Sequence, residues 1–186
     1  MPTFLSHPAV PLALAYGLGG AAVPRRLMMV GVTVSILPDL DVLAFQLGIP
    51  YLNAFGHRGF SHSITLAVIV ALITAMFARR LGSEWKRVFA FVGVSMGSHG
   101  LLDAFTNGGQ GIALLWPFTD ERYFAPVQMI EVAPLRLARF FSERGVEVML
   151  SELVWVWLPC GVVMASLLAI QGRLRRPWSQ SAGEAA

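Results

Sequence analysis

The chain has 186 residues, of which 55% are hydrophobic and only 13% charged, with a formal net charge of +3. Ordinary soluble domains carry roughly 25% charged residues, so this chain has too little charge to coat a water-soluble globule of its size. The single cysteine, Cys160, excludes an internal disulfide framework and a cysteine-based zinc ribbon, and the basic residues lack the interleaved aromatics of a nucleic-acid surface.

The length suits one domain. A cleavable leader is the first alternative for the N-terminus, because an apolar stretch runs into Gly19-Gly20-Ala21-Ala22. No Lys or Arg precedes Arg25, however, and a leader needs a positive region ahead of its apolar core. Residues 1–23 are therefore expected in the mature protein.

The first apolar segment runs from about Pro8 to Val23, with Gly17, Gly19 and Gly20 allowing close helix contact. Pro24-Arg25-Arg26 forms a basic turn. The second segment, about Arg26 to Leu37, stops at Pro38, which cannot donate to the preceding turn. It is short for a span of ~20 residues, so Asp39 is expected inside the bundle, below the membrane surface. Asp41 to Tyr51 reads as a short re-entrant or interfacial helix. The third segment starts near Ser61, a candidate N-cap, and runs to Ala78. Arg79-Arg80-Leu81-Gly82 ends it. The fourth runs from about Glu84 to Thr106 and is apolar until His99 and Asp103. Residues 107–145 read as an interfacial stretch, with a short amphipathic helix over Leu135 to Phe141. The fifth begins between Glu143 and Glu152, is expected to kink at Pro159, and ends near Gln171. The expectation is an all-α integral membrane bundle of about five membrane helices plus short interfacial helices, spanning 1–176, with a polar tail over 177–186.

Lys and Arg set topology. Arg25, Arg26, Arg79, Arg80, Lys86, Arg87, Arg173, Arg175 and Arg176 make nine of the fourteen basic residues, and alternating spans put all nine on the cytoplasmic side. The same alternation puts all four histidines and nine of the eleven acidic residues on the opposite face. That clustering is independent of the rule that produced the map.

Three polar groups carry the chemistry: Pro38-Asp39-Leu40-Asp41, His57-Arg58-Gly59-Phe60-Ser61-His62-Ser63 and His99-Gly100-Leu101-Leu102-Asp103. His99 and Asp103 are four apart and share a helix face, as either a metal-binding pair or a buried hydrogen-bonded pair. Ionisable groups inside a membrane segment are costly and usually functional. Asp39 and Asp41 point apart in an extended chain, so Asp39 is favoured as a ligand and Asp41 as a further ligand or base. His7 and Glu152 join the list from the ends of their segments, Glu152 as a candidate base. Arg58 is placed to clamp an anion or to neutralise Asp39 or Asp41. Imidazole and carboxylate without thiolate suit zinc, and less selectively manganese or iron. The seven His and Asp candidates exceed one ion's needs, which implies two ions or supporting partners. A water on such an ion is acidified toward pKa ~7.

The stretches 38–41, 57–63 and His99-Gly100-Leu101-Leu102-Asp103-Ala104-Phe105-Thr106-Asn107-Gly108-Gly109 resemble the YdjM-like family of bacterial inner-membrane proteins. The resemblance runs from His7 to about Pro159. Ser61 stands where that family has threonine, and the hydroxyl is kept. The family is described as metal-dependent hydrolases and likened to zinc phospholipase C and related helical zinc nucleases. The resemblance implies a ligand set of Asp39, His57, His62, His99 and Asp103, with His7 as a further member.

The reading is a membrane-bound hydrolase of a phosphoester or other ester, one or two zinc ions, the lipid bilayer as partner, an extracytoplasmic site and a cytoplasmic C-terminus. The alternative is a non-catalytic membrane protein, either a metal-ion carrier or a bundle with a structural His/Asp network.

Overall fold

A computed structural model of the chain describes residues 1–134 and 140–174. The regular secondary structure among the described residues is helical, with two isolated β-bridges, Thr106 to Ile130 and Ile112 to Tyr123, and no strand among them; 47–59 and 105–134 are turns and irregular chain. The helix expected over 135–141 falls largely outside the described residues, as does the tail 177–186.

Helix α1 spans Ala9–Leu18. It stops at Gly19, whose φ of +77° is a conformation side chains disfavour, so the first segment ends short of the expected Val23. Helix α2 spans Arg25–Ile36 and is closed by Pro38, as the sequence requires. A 3-10 helix, Leu37–Val42, and a one-turn helix α3, Leu43–Gln46, carry the chain on.

Helix α4 spans Ile64–Ala75. Its N-cap is Ser63, whose Oγ accepts the Leu66 N–H at 3.1 Å. The expected cap, Ser61, is drawn away because its hydroxyl donates to Asp41 at 2.5 Å. Beyond Ala75 the chain turns irregularly to Gly82 (φ +71°) rather than staying helical to Ala78. Helix α5 spans Trp85–Ala104. Helix α6, Glu143–Glu152, passes through a π-turn, Leu153–Trp157, into α7, Leu158–Leu174. The break expected at Pro159 thus appears just ahead of it. Proline offers no N–H to the Trp155 carbonyl, and the ladder widens so that the Leu158 N–H reaches back to the Leu153 carbonyl.

Helix α4 packs on α5, α2 packs on α5, and α1 packs on α7. Ala67, Ala71 and Ala75 recur every four residues on the buried face of α4. Opposite them, a Cβ on Gly93 would lie 3.6 Å from that of Ala71. Small residues let the two backbones approach closely. The outer face of α4 exposes Ile64, Ile69, Leu72, Ile73 and Met76, a contiguous apolar face of the kind that marks an interaction surface.

Two interhelical bonds define one end of the bundle. The Arg26 guanidinium donates to the Arg80 carbonyl at 3.1 Å, and Arg87 donates to the Ala21 carbonyl at 3.5 Å. The basic turns after α1 and after α4 therefore lie side by side. Asp39 beyond α2, His62 before α4, Asp103 in the last turn of α5 and His7 before α1 gather at the opposite end. Arg25–Gln46 (22 residues) and Glu143–Gly172 (30 residues) are long and apolar enough to cross a membrane, while α1 and α4 are apolar but shorter.

Candidate metal centre

The 3-10 geometry of Leu37–Val42 separates two carboxylates that sit two residues apart. With about three residues per turn, Asp39 and Asp41 face different neighbours. Asp39 lies 3.6 Å from His7 Nε2 and 3.5 Å from His99 Nε2. Asp41 turns toward His57 and His62.

His99 and Asp103, one turn apart on α5, both point into the same buried space. His62 comes to it from the turn before α4, with Nε2 3.2 Å from Asp103 Oδ2 and 3.0 Å from His99 Nε2. One ligand atom each from Asp39, His62, His99 and Asp103 lies within 4.8 Å of the others. His7 completes the wall. Its ring stacks on His99 at 3.7 Å, and its Nε2 is 3.8 Å from Asp103 Oδ1. Every one of these five residues is buried.

The backbone and a supporting carboxylate fix which nitrogens face inward. His99 Nδ1 lies 2.7 Å from the Ser35 carbonyl, which can only accept, so Nδ1 carries the proton and Nε2 presents its lone pair. His62 Nδ1 lies 3.2 Å from Asp41 and 3.0 Å from Ser61 Oγ. The interior is thus a basket of acceptors. Asp39 Oδ1 and Oδ2, Asp103 Oδ1 and both nitrogens of His7 are buried with no hydrogen-bond partner. Unpartnered buried groups of this kind cost about 1–3 kcal/mol each, and more when charged. A cation at the centre would answer the lone pairs of both carboxylates, of His99 Nε2 and of one His7 nitrogen together. A proton does so in part: burial pushes the His62 imidazole down, but the Asp103 and Asp41 carboxylates outweigh it and hold it up at about 9. That proton reaches His99 and Asp103 only, and leaves Asp39 and His7 unanswered. Three imidazoles and two carboxylates without thiolate form a donor set that fits zinc, manganese or iron.

The remaining candidates stand around this basket rather than in it. His57 Nδ1 bonds Asp41 at 2.5 Å, and His57 is not among the four convergent ligands. Asp41 also accepts from the Arg58 N–H at 2.9 Å and from Ser61, so both its oxygens are occupied. It supports two histidines instead of standing free as a base. Arg58, 1% exposed and with φ +61°, is enclosed rather than open to a ligand. Its Nε lies 3.0 Å from Asp103 Oδ2, and its two terminal nitrogens donate to Gly108 O at 2.8 Å and Thr106 Oγ1 at 2.9 Å. It therefore neutralises Asp103, not Asp39 or Asp41. Glu152 is fully buried, but its oxygens accept from Thr3 and Ser6 and not from the basket.

Two further residues matter that reading the sequence passed over. Ser35 orients His99 through its carbonyl, which any residue would supply, so no sequence signal marks it. Arg122 donates to the carbonyls of Tyr51, Asn53, His57 and Arg58, at 2.9 to 3.2 Å, and its guanidinium lies 5.4 Å from the Tyr51 ring centre. It ties the loop that bears His57 and Arg58 to the stretch after α5. Burial lowers its pKa from the usual arginine value.

A profile of the family described as YdjM inner membrane protein matches residues 1–175. The chain belongs to the YdjM inner membrane protein family. Among its relatives, the Inner membrane protein YbcI of Escherichia coli is 47% identical over 168 residues, covering 90% of this chain and 97% of YbcI. The Inner membrane protein YdjM of Escherichia coli and that of Shigella flexneri are each 34% identical over 135 residues, 67% of this chain and 62% of the relative. No solved structure matches the chain. Membership of the YdjM inner membrane protein family agrees with the apolar outer faces and leaves the buried His/Asp basket as the feature that asks for a function.

Proposed function

We propose that this YdjM-family protein is a multi-pass inner-membrane hydrolase. It uses a divalent metal ion, zinc by preference, to cleave a phosphoester or other ester of a lipid-like substrate on the extracytoplasmic side. The observation that carries the reading is the convergence of Asp39, His62, His99 and Asp103, with His7 beside them, around buried acceptors that have no partner. About five passes follow if α1, α2 with its extension, α4, α5 and α6–α7 each cross the bilayer. The side follows from the Lys and Arg turns at the other end of the bundle.

Asp39, His62, His99 and Asp103 would hold the ion, with His7 as a fifth donor. When bound, the ion supplies a Lewis acid and acidifies water enough to attack at neutral pH. Asp41 holds His62 Nδ1 and so keeps Nε2 aimed inward. Arg58 pairs with Asp103 Oδ2 and holds it in place. His57 is left for proton transfer: Asp41 fixes its Nδ1, and its ring centre is 6.1 Å from that of His62. A groove of about 440 Å³, walled by Leu40, Leu43, Leu47, Leu66 and Val70, reaches Asp41 and Ser61 and suits an alkyl chain.

The second reading is a non-catalytic protein. A carrier needs polar groups along its whole path, and the span of α4 provides none facing α5 but small apolar residues. A purely structural network would hold no stoichiometric metal. Elemental analysis of detergent-purified protein beside a His62→Ala/His99→Ala variant decides the first point. Stoichiometric metal in the parent alone is the expected result; equal trace amounts in both would sink the metal reading. A screen of phosphoesters and carboxylic esters with the loaded protein decides the second. Metal bound without any turnover would favour the non-catalytic reading.

A further inference from the structure

We infer that Glu152 is a positioning residue for His7: it clamps residues 3–6 from the α6–α7 helix, so that the imidazole is presented to the metal basket. The inference rests on the basket being a metal site, and it concerns a residue that touches no basket atom.

Glu152 is buried to 0% exposure and uses both carboxylate oxygens on one short segment. It accepts from the Thr3 N–H, from Thr3 Oγ1 at 2.6 Å and from Ser6 Oγ at 2.5 Å. Trp157 Nε1 donates to the same Ser6 Oγ at 3.0 Å. In a regular α-helix, residues five apart diverge by roughly 140° around the axis. The π-turn over Leu153–Trp157 widens the helix at this point, and it brings Glu152 and Trp157 to the same hydroxyl. The helix irregularity and the clamp are therefore one device.

The segment it holds ends at His7. The His7 nitrogens have no hydrogen-bond partner of their own. Its ring is set by stacking on His99 and by the path of the backbone from Ser6. His99 has Ser35 and His62 has Asp41 to orient them; Glu152 does for His7, through the backbone, what those partners do through the ring. A fully buried carboxyl group is costly to retain, and here every hydrogen bond it makes is spent on the segment that leads into His7.

The test measures Zn²⁺ and Co²⁺ binding to the full-length, detergent-solubilised protein by chelator competition, and the visible absorption of bound Co²⁺. The variants are Glu152→Ala, Glu152→Gln, His7→Ala and the Glu152→Ala/His7→Ala pair, each read only on its monodisperse fraction. Loss of an orienting partner weakens metal binding by about 10- to 100-fold, and that loss is expected for Glu152→Ala, with a changed Co²⁺ spectrum. In the His7→Ala background, Glu152→Ala should add less than about twofold, because both act on one ligand. Glu152→Gln should stay within a few-fold of the parent, since its carbonyl accepts the Thr3 amide and the hydroxyls can accept from its NH₂. If Glu152→Ala fails to fold, Thr3→Ala/Ser6→Ala removes both hydroxyls that donate to Glu152 and should give a loss in the same direction. Multiplying losses in the double variant, or unchanged affinity in Glu152→Ala, would overturn the inference. A parent protein that binds neither ion would instead remove the metal site itself, a result distinct from both.

Discussion

His62 Nε2 and His99 Nε2 face each other at 3.0 Å inside the bundle, each held from behind by an acceptor on its own Nδ1. That distance requires a cation between the two nitrogens: a proton on His62 Nε2, or a metal ion in its place. The proton leaves Asp39 and His7 without a partner, and a metal ion would reach them as well.

Chelation should for this reason lower stability. An ion present at about 100 times its Kd adds ~2.7 kcal/mol to the folded state. Removing it should lower the unfolding midpoint, followed by tryptophan fluorescence in detergent, and added Zn²⁺ should restore it. The His62→Ala/His99→Ala variant should unfold at one temperature with or without chelator. A parent that ignores the chelator would contradict the metal reading.

Arg58 and Asp103 form a buried ion pair with the arginine bonded on three sides. Removing one partner of such a pair costs about 3–5 kcal/mol, because the other charge stays buried. Arg58→Ala should approach that loss in denaturant unfolding. Arg58→Lys should lose less, keeping the charge but not the fork. An Arg58→Ala protein as stable as the parent would show that the arginine is not structural.

Gly100 follows His99 on α5, and a Cβ there would come within 2.6 Å of the His62 carbonyl oxygen. That oxygen is backbone and cannot swing aside. Gly100→Ala should cost about 1–3 kcal/mol by overpacking and should weaken metal binding by moving His62 from His99. A variant with parental stability and affinity would mean that the turn before α4 yields freely.

Reporter fusions in the 107–134 stretch and in the turn after α4 test the topology. Export-dependent reporter activity is expected from the first and not from the second. The reverse pattern would turn the map over and place the basket on the cytoplasmic side.

Much of the helical frame was legible because its punctuation is strong. Pro24 and Pro38 bracket α2 almost to the residue, and the spacing of His99 from Asp103 placed both on one face. His7, Asp39 and His62 were also candidates, and the structure gathers all five at one end. What stayed hidden is set by the loop between Pro50 and His62. Its path depends on Arg122 bonding four carbonyls, and on a close approach where a Cβ on Gly59 would lie 2.1 Å from Ala54 O. That path sends His57 to Asp41 and encloses Arg58. Glu152 was read as a candidate base, and its bonds to Thr3 and Ser6 were hidden for the same reason: these partners lie 149 and 146 residues away, and no local pattern announces a clamp across that distance.

On the five-pass proposal, the brevity of two helices bears on the lipids around them. The regular parts of α1 and α4 contain 10 and 12 residues, or about 15 and 18 Å of rise, against a hydrocarbon thickness of ~30 Å. Proteins with so short an apolar girth pinch the surrounding bilayer or draw flanking groups inward. Headgroups beside α4 would sink toward Asp41 and Ser61, shortening the climb by which the scissile bond of the proposed substrate leaves its leaflet. Longer acyl chains would oppose that dimple, so bilayer thickness itself becomes a variable to which this protein should respond.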